Sequence, residues 1–198
     1  MIIDNRIVWP LIFSVFSLSA DCTTLIPLFE EHHIIRHGEF VLKSGQSSNF
    51  YVDMRMALSS PTLMHELGQM ICERCQQYSY DRVCGVPYGA IPFATICAYL
   101  AHAPLIMLRK EVKEHGTCKR IEGSYTVGDR VVLIEDVVTT GSSILDSIHM
   151  LEEQGLSIAV IVILFDRQQG GKEMLESLGY SVEVIVTLDD IAQKQRIA

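Results

Sequence analysis

A run of apolar residues that meets two acids and then a hydroxyl-rich turn most constrains the fold of this chain. Residues 131–143 read VVLIEDVVTTGSS. Four consecutive apolar residues at the start of this stretch are typical of a strand buried on both faces. A helical pattern follows the turn and stops near Gly155, a residue suited to a helix C-terminus. We therefore predict a buried strand that ends at Glu135 and Asp136, then a short loop and a helix.

The turn and the acids that precede it favour different parts of one ligand. Backbone N–H groups and hydroxyls at a helix N-terminus can surround a phosphate, and the helix dipole favours its negative charge. Glu135 and Asp136 would repel a phosphate, but carboxylates accept hydrogen bonds from sugar hydroxyls. Donors at one end and acceptors at the other fit a phosphorylated ribose.

Strands and helices alternate in the second part of the chain. Strand patterns lie at 83–86, 105–108, 131–134, 158–165 and 181–186, with a further short strand at 121–125. Helical patterns lie between them, at about 90–102, 142–154 and 172–178, and a last short helix follows. This alternation predicts an α/β fold with a parallel, doubly wound sheet flanked by helices.

The first part of the chain predicts a cap outside that sheet. Asp21 can cap a helix to about His33, the β-prone runs 39–43 and 49–53 flank a Gly/Ser turn, and Ser60 and Pro61 begin a helix to about Tyr78. We predict one domain over residues 1–198. Within it, 1–20 form an extension, 21–80 form the helix-plus-hairpin cap and first helices, and 81–190 form the core.

Composition restricts the classes of partner. The 198 residues are 48% hydrophobic and 20% charged, which is typical of a globular protein. A net charge of −8 argues against a nucleic-acid binder. Against this acidic background the basic residues between 109 and 120 favour a small anionic ligand. They are Arg109, Lys110, Lys113, Lys119 and Arg120.

The cysteines and the N-terminus bear on the compartment. Six scattered cysteines in a chain of this size indicate reduced, buried thiols in a cytoplasmic protein. Cys72 and Cys75 have a CxxC spacing but lie in a helical pattern with no second ligand pair, which disfavours a zinc site. The apolar residues 7–20 are interrupted by Pro10 and lack a basic flank, so we predict an extension here and neither a signal peptide nor a membrane span.

Polar segments follow four of the predicted strands, at the edge of the sheet where ligands bind. The segments are 85–90, 109–115, 135–143 and 166–167. The charged segment before Gly116 fits a lid that closes over a polyanion, although such a run is also typical of a solvated loop. Asp166 and Arg167 fit a structural ion pair, or a site in which the guanidinium binds a carboxylate or imide edge.

Two nucleotide-binding motifs are missing from the sequence. The chain has no GxxxxGK[ST] stretch, which disfavours a P-loop enzyme, and no GxGxxG after a strand, which disfavours a dinucleotide site. His32, His33 and His37 lie in or near the cap, where surface positions suit them better than metal ligation.

Taken together, these segments resemble the type I phosphoribosyltransferases, and specifically the orotate phosphoribosyltransferases. The general signature is 131–143, which corresponds to the loop that binds phosphoribosyl pyrophosphate (PRPP). The specific part is FVLKSG at 40–45, NFYVD at 49–53, RKEVKEHG at 109–116 and DRQQGG at 166–171. The resemblance covers about residues 21–190, and the stretches 85–92 and 116–123 are similar to the corresponding domain of fused UMP synthase. Many bacterial members have a lysine where this chain has Gly89.

The resemblance implies a role for each matching residue. Glu135 and Asp136 hold the ribose hydroxyls, with Val137 and Val138 beside them, and the turn Thr139, Thr140, Gly141, Ser142 and Ser143 holds the 5′-phosphate. Tyr88 and Gly89 belong to a pyrophosphate loop whose Pro87–Tyr88 peptide is cis in relatives. Arg109, Lys110, Lys113 and His115 grip pyrophosphate. For orotate, Lys43 lies beside the substrates, Phe50 and Tyr51 stack near the base, and Thr139 and Arg167 form hydrogen bonds with it.

The same resemblance implies the chemistry and the partners. Orotate nitrogen displaces pyrophosphate from PRPP through an oxocarbenium-like transition state, with Mg²⁺ carried mainly by PRPP and no dedicated protein metal ligand. Lys113, His115 and Asp136 are the catalytic candidates. The family's lid reaches into the partner subunit, which implies a homodimer with PRPP and orotate as ligands, and neither nucleic acid nor membrane.

Two other functions are compatible with the phosphate loop alone. A purine-base phosphoribosyltransferase would share residues 131–143, because that loop does not choose the base. A non-catalytic regulator that senses PRPP would keep the same fold. The cap residues Lys43, Phe50 and Tyr51 favour orotate over a purine, and the net charge and the charged lid argue against a regulator.

Overall fold

The core of the molecule is a six-stranded, mostly parallel sheet. The computed structural model describes residues 22–41, 47–109 and 120–197. The strands are β1 Ile35–Val41, β2 Ser47–Val52, β3 Arg82–Gly85, β4 Leu105–Leu108, β5 Ile121–Glu122, β6 Arg130–Val138, β7 Ser157–Asp166 and β8 Val182–Thr187. The helices are α1 Cys22–Glu31, α2 Pro61–Cys75, α3 Ile91–Leu100, α4 Ser142–Glu152, α5 Gly171–Ser177 and α6 Leu188–Ile197, with a 3₁₀ helix at Met54–Ser59.

The strand order fixes where a ligand can bind. The sheet runs β5-β4-β3-β6-β7-β8, with every pair parallel except β4 and β5. From β3 the chain moves outward to β4, and from β6 it moves the other way to β7 and β8. Right-handed crossovers therefore place α3 on one face and α4 and α5 on the other. The predicted α/β sheet is confirmed, and its switch point lies between β3 and β6, where a crevice opens at the carboxyl ends.

The central strand is longer than the sequence predicts. The prediction that it ends at the acidic pair is wrong, because β6 continues through Glu135 and Asp136 to Val138. Glu135 pairs with Ile163, and Val138 pairs with Asp166 at the end of β7. The long apolar strand β7 supplies backbone partners for the whole of β6, so the acids lie on the rigid sheet and not in a loop.

The cap consists of α1, the β1–β2 hairpin and the 3₁₀ helix. The hairpin is antiparallel, as predicted, and β1 begins at Ile35, four residues before the predicted start. The C-terminal helix α6 packs against α1, so both ends of the described chain meet at the cap. Ser60 caps α2 by accepting a hydrogen bond from the Leu63 amide at 3.3 Å, as the Ser-Pro signal predicts.

The interior is apolar on both faces of the sheet. From Ala159 to Phe165 every residue of β7 is buried, which confirms the strand predicted from that run. Cys72, Cys75, Cys84 and Cys97 are buried free thiols, as predicted for these four. Burial raises the pKa of Cys84 to about 12, so this thiol is inert at neutral pH. None of the described helices has the length and apolarity needed to span a membrane.

Two tyrosines that follow α2, Tyr78 and Tyr80, are expected to have opposite effects on stability when their hydroxyls are removed. Within the described ranges, the Tyr80 hydroxyl is buried without a hydrogen-bond partner, and burial raises its pKa. The Tyr78 hydroxyl donates to Glu183 Oε1 at 2.9 Å. Because an unpaired buried hydroxyl is unfavourable, Tyr80→Phe should raise the free energy of unfolding by up to about 1 kcal/mol.

Tyr78→Phe is the matched control. It removes the hydrogen bond from Tyr78 to Glu183 and should lower the free energy of unfolding by about 0.5–1.5 kcal/mol. Denaturant unfolding of both variants checks the pair, and a Tyr80→Phe protein less stable than the Tyr78→Phe protein would contradict the assignment.

Candidate active site

Two loops meet in the crevice at the switch point. Residues 86–90 follow β3 and residues 139–141 follow β6. The first loop starts on the sheet, because the Val86 amide donates to the Ile134 carbonyl at 2.9 Å. Its Pro87–Tyr88 peptide is cis, as the family resemblance implies. Tyr88 lies in this loop with 64% of its surface exposed.

Gly89 brings the backbone of the first loop against the acidic pair. A Cβ built at Gly89 would lie 2.7 Å from Cγ and 2.9 Å from Oδ1 of Asp136, which no real Cβ tolerates. A side chain at position 89 would require the Asp136 carboxylate to shift, whereas glycine makes the approach without that change. Because position 89 is glycine where many bacterial members have lysine, the loop contacts Asp136 with its backbone and without a side chain.

The two acids of β6 differ in environment. Glu135 is 6% exposed, and its Oε1 accepts a hydrogen bond from the Asp136 amide at 3.0 Å. Asp136 and Val137 are half-buried, and Val138 is buried. Asp136 thus turns its carboxylate toward the crevice, while Glu135 is fixed in the sheet. This asymmetry suits Asp136 for contact with a sugar hydroxyl or a cation.

The turn after β6 leaves backbone donors open to a ligand. Gly141 is the N-cap of α4 with φ +82°, a left-handed conformation that favours glycine, and no side chain within the described residues caps this helix. The first N–H groups of a helix have no partners inside it. Thr139, Thr140, Ser142 and Ser143 are all exposed around this N-terminus. Hydroxyls and amides therefore converge where the sequence predicts a phosphate.

The N-terminus of α5 supports this turn from behind. The Gly171 amide donates to the Thr139 carbonyl at 3.0 Å. A Cβ at Gly171 would lie 2.5 Å from that carbonyl oxygen and 3.0 Å from the Gly141 nitrogen. The sequence motif at 166–171 contains Gly171, but its role as the back wall of the turn comes only from the structure.

Two residues that were predicted to bind the base, Phe50 and Arg167, lie together at the end of β7. The Arg167 guanidinium carbon lies 4.9 Å from the centre of the Phe50 ring, which brings the cap hairpin onto the carboxyl edge of the sheet. Arg167 is buried, and burial lowers its pKa. Its amide donates to the Val138 carbonyl at 3.1 Å, which places it one strand from the turn at 139–141. The predicted base-binding pair is thus assembled from segments far apart in sequence.

Asp166 shapes the loop that carries Arg167. Its carboxylate is 2% exposed and accepts the Gln168 amide at 2.8 Å in a local turn. Burial raises the pKa of Asp166. This hydrogen bond fixes the turn that follows β7 and carries Arg167.

Other predicted site residues have partners outside this cluster or lie outside the described residues, although Tyr51 still acts electrostatically on Arg167. Neighbouring residues of a strand face opposite sides, and Tyr51 packs on Phe40 with ring centres 5.6 Å apart. Arg109 forms an ion pair with Glu122 at 2.6 Å across β4 and β5. Four predicted residues lie outside the described ranges: Lys43, Lys110, Lys113 and His115.

Arg55 is a basic residue that the sequence reasoning missed. Its guanidinium forms a two-pronged ion pair with Asp53, with Nε–Oδ1 at 2.6 Å and Nη2–Oδ2 at 2.9 Å. Asp53 raises the pKa of Arg55, and Tyr51 and Asp136 add to this effect. Arg55 is therefore within electrostatic range of the acidic pair. The spacing Asp-x-Arg after a strand is the only sequence signal, and it is too common to be decisive.

Among the described residues, Asp136 is the one that suits a metal shared with a ligand. Within 22–41, 47–109 and 120–197 no group of three His, Cys, Asp or Glu side chains is placed to hold an ion. The open carboxylate of Asp136 nevertheless suits Mg²⁺, which prefers oxygen ligands and is often held by one or two carboxylates together with substrate phosphates.

Comparison with known proteins decides the family. The phosphoribosyl transferase domain model matches residues 58–192. The orotate phosphoribosyltransferase of Methanocaldococcus jannaschii is 36% identical over 171 residues, which cover 86% of this chain and 97% of the relative. The chain belongs to the orotate phosphoribosyltransferase family.

Two further matches agree with this assignment. The crystal structure of orotate phosphoribosyltransferase from Aeropyrum pernix superposes with a TM-score of 0.79 at 33% identity, covering 88% of this chain and 99% of that one. The bovine uridine 5′-monophosphate synthase is 41% identical over 142 residues, or 71% of this chain. The matched region spans only 30% of the bovine protein. The fold is that of the type I phosphoribosyltransferases.

Gly171 makes a specific prediction for this phosphoribosyltransferase. Gly171→Ala leaves the backbone conformation accessible, since φ lies outside the left-handed range, but it forces the Thr139–Gly141 turn to move. The Kd for PRPP should rise about tenfold or more, since a displaced turn loses phosphate hydrogen bonds of about 1.5–3 kcal/mol each. Calorimetric titration with PRPP measures this.

A matched control lies at the other end of α5. Gly179 has φ +91° and open space around a Cβ, so Gly179→Asn should leave the Kd for PRPP unchanged. Equal Kd values for Gly171→Ala and the parent protein would show that the turn does not depend on this wall.

Proposed function

We propose that this chain is an orotate phosphoribosyltransferase that converts orotate and PRPP into orotidine 5′-monophosphate and pyrophosphate in pyrimidine biosynthesis. The observation that carries the proposal is the position of Arg167 over Phe50, one strand away from an uncapped helix N-terminus. A phosphate site and a cationic, aromatic base site thus occupy one crevice. The family membership supports the same reaction.

The donor would be held along β6 and the loops beside it. In this proposal the 5′-phosphate binds to the amides and hydroxyls of 139–143, and the ribose hydroxyls bind to Asp136 with Glu135 behind it. Tyr88 and the backbone at Gly89 approach the pyrophosphate. The spatial order of donors and acceptors along this edge matches the order of groups in PRPP.

The acceptor would be held between cap and sheet. Orotate is a planar anion with a carboxylate and an imide edge. A guanidinium offers two parallel donors to such an edge, and arginine is charged at neutral pH. Phe50 covers the neighbouring surface. A purine lacks the carboxylate, so this arrangement favours orotate.

The reaction would need stabilisation of charge and no protein nucleophile. As orotate nitrogen forms its bond to the anomeric carbon, the bond to pyrophosphate breaks and negative charge develops on the leaving group. Lys113, His115 and Arg109 are proposed to stabilise that charge, and His115 or Lys113 to protonate it. Arg109 would then exchange Glu122 for pyrophosphate. Asp136 would orient the ribose and balance its positive charge in the transition state.

Magnesium would join the site with the donor. An ion carried by PRPP oxygens would meet the Asp136 carboxylate, and when bound it supplies positive charge to the leaving pyrophosphate.

We also propose that the enzyme is cytoplasmic. Four buried free thiols suit a reducing environment, and cell fractionation should recover the activity in the cytoplasm.

Turnover tests the reaction and the role of Arg167 together. Protein, PRPP and Mg²⁺ should consume orotate but neither adenine nor hypoxanthine, and chelation of Mg²⁺ should stop the reaction. Arg167→Lys keeps the charge but loses the planar fork, so the KM for orotate should rise about 10- to 100-fold, the equivalent of one strong charged hydrogen bond. The KM for PRPP should change little.

Arg130→Lys is the control for Arg167→Lys, and two outcomes would contradict the proposed reaction. Arg130→Lys, an exposed position at the other end of β6, should leave both KM values unchanged. Consumption of a purine in place of orotate would establish the alternative base. Tight PRPP binding without turnover of any base would instead establish a regulator.

The proposed homodimer has its own test. If the lid of one subunit completes the site of the other, Lys113→Ala and Asp136→Asn should each be nearly inactive. A refolded mixture should recover about one quarter of the parent activity, because half of the dimers are hybrids with one intact site. A mixture with no recovery would place lid and acid of each working site on the same subunit.

A further inference from the structure

The residue after Arg167 adopts a conformation that needs support. Gln168 has φ +54°, in the left-handed region that residues other than glycine rarely occupy. Such a conformation is unfavourable and persists only where the surroundings hold it. The direction in which the Arg167 side chain leaves the loop depends on this backbone, since the two residues share a peptide unit.

Three hydrogen bonds hold Gln168 in place. Its amide donates to Asp166 Oδ1 at 2.8 Å. Its side chain uses both polar ends on one partner: Nε2 donates to Asp189 Oδ2 at 3.0 Å, and Oε1 accepts from the Asp189 amide at 2.9 Å. We refer to the pair of side-chain bonds between Gln168 and Asp189 as the clasp.

Asp189, the partner of Gln168 in the clasp, is itself held in place. Asp189 lies in the first turn of α6, and that turn is closed by Asp190, which accepts from the Thr187 amide at 2.7 Å and from its hydroxyl at 2.6 Å. The helix packs on α1 of the cap and on β8 of the sheet. The clasp therefore connects the loop of Arg167 to a helix that also touches the cap.

We propose that Gln168 is a positioning residue for the acceptor: through its clasp on Asp189 it holds Arg167 against Phe50, in the orientation that binds the base. This inference rests on the proposed function. It assigns a role to α6, which the sequence presents only as a short terminal helix. Neither Gln168 nor Asp189 touches the base; both act through Arg167.

A charge exchange across the clasp tests the proposal. Gln168→Glu places two carboxylates against each other at about the present 3.0 Å and should raise the KM for orotate about tenfold while the KM for PRPP stays within twofold. Asp189→Asn alone should have little effect, because the glutamine can still donate to the new amide oxygen. The double variant should return to the parent KM, because the introduced amide then donates to the introduced carboxylate.

The measurements separate positioning from a purely structural contact. Gln154→Glu is the matched control, since its side-chain oxygen accepts from the Tyr125 hydroxyl at 3.2 Å near the amino-terminal edge of the sheet, and it should change neither KM. A Gln168→Glu protein with the parent KM, or a double variant no better than it, would overturn the proposal. So would equal rises in both KM values with a lowered melting temperature. Failure of the proposed function appears in the parent protein itself, whereas failure of the clasp appears only in the variants.

Discussion

The site depends on the meeting of two segments at the switch point of the sheet. The loop after β3 lies against the carboxylate of Asp136, and glycine at position 89 makes this contact without displacing that side chain. This contact requires β3 and β6 to be neighbours, although β4 and β5 lie between them in the chain. Once that pairing is made, the acidic pair, the loop at 86–90 and the helix N-terminus share one crevice, and the rest of the candidate site is built around it.

The segment 166–171 links two parts of the candidate site. At one end Arg167 lies against Phe50, and at the other end Gly171 supports the turn at 139–141 through the Thr139 carbonyl. A change in this short segment can therefore alter the binding of either proposed substrate. Because its two ends touch different loops, the effects on orotate and on PRPP are separable by experiment.

Patterns of hydrophobicity were sufficient to predict the sheet but not the extent of its strands. The run at 158–165 predicted a strand buried on both faces, and the structure places it at Ser157–Asp166. The acids at 135 and 136 broke the apolar pattern of β6, so the strand was predicted to end there. Pairing with β7 keeps the backbone extended through Val138, and a side-chain pattern does not report backbone hydrogen bonds to a distant strand.

The same distinction holds for the site. The sequence by itself determined the hydroxyl-rich turn and the acidic pair, since each is a local pattern, and the family motifs predicted which residues bind the base. Only the tertiary structure decided that Phe50 meets Arg167, that Gly171 forms the wall behind Thr139 and that Gln168 reaches Asp189. These contacts join segments from different parts of the chain, and their geometry follows from strand order and packing, which no local spacing encodes.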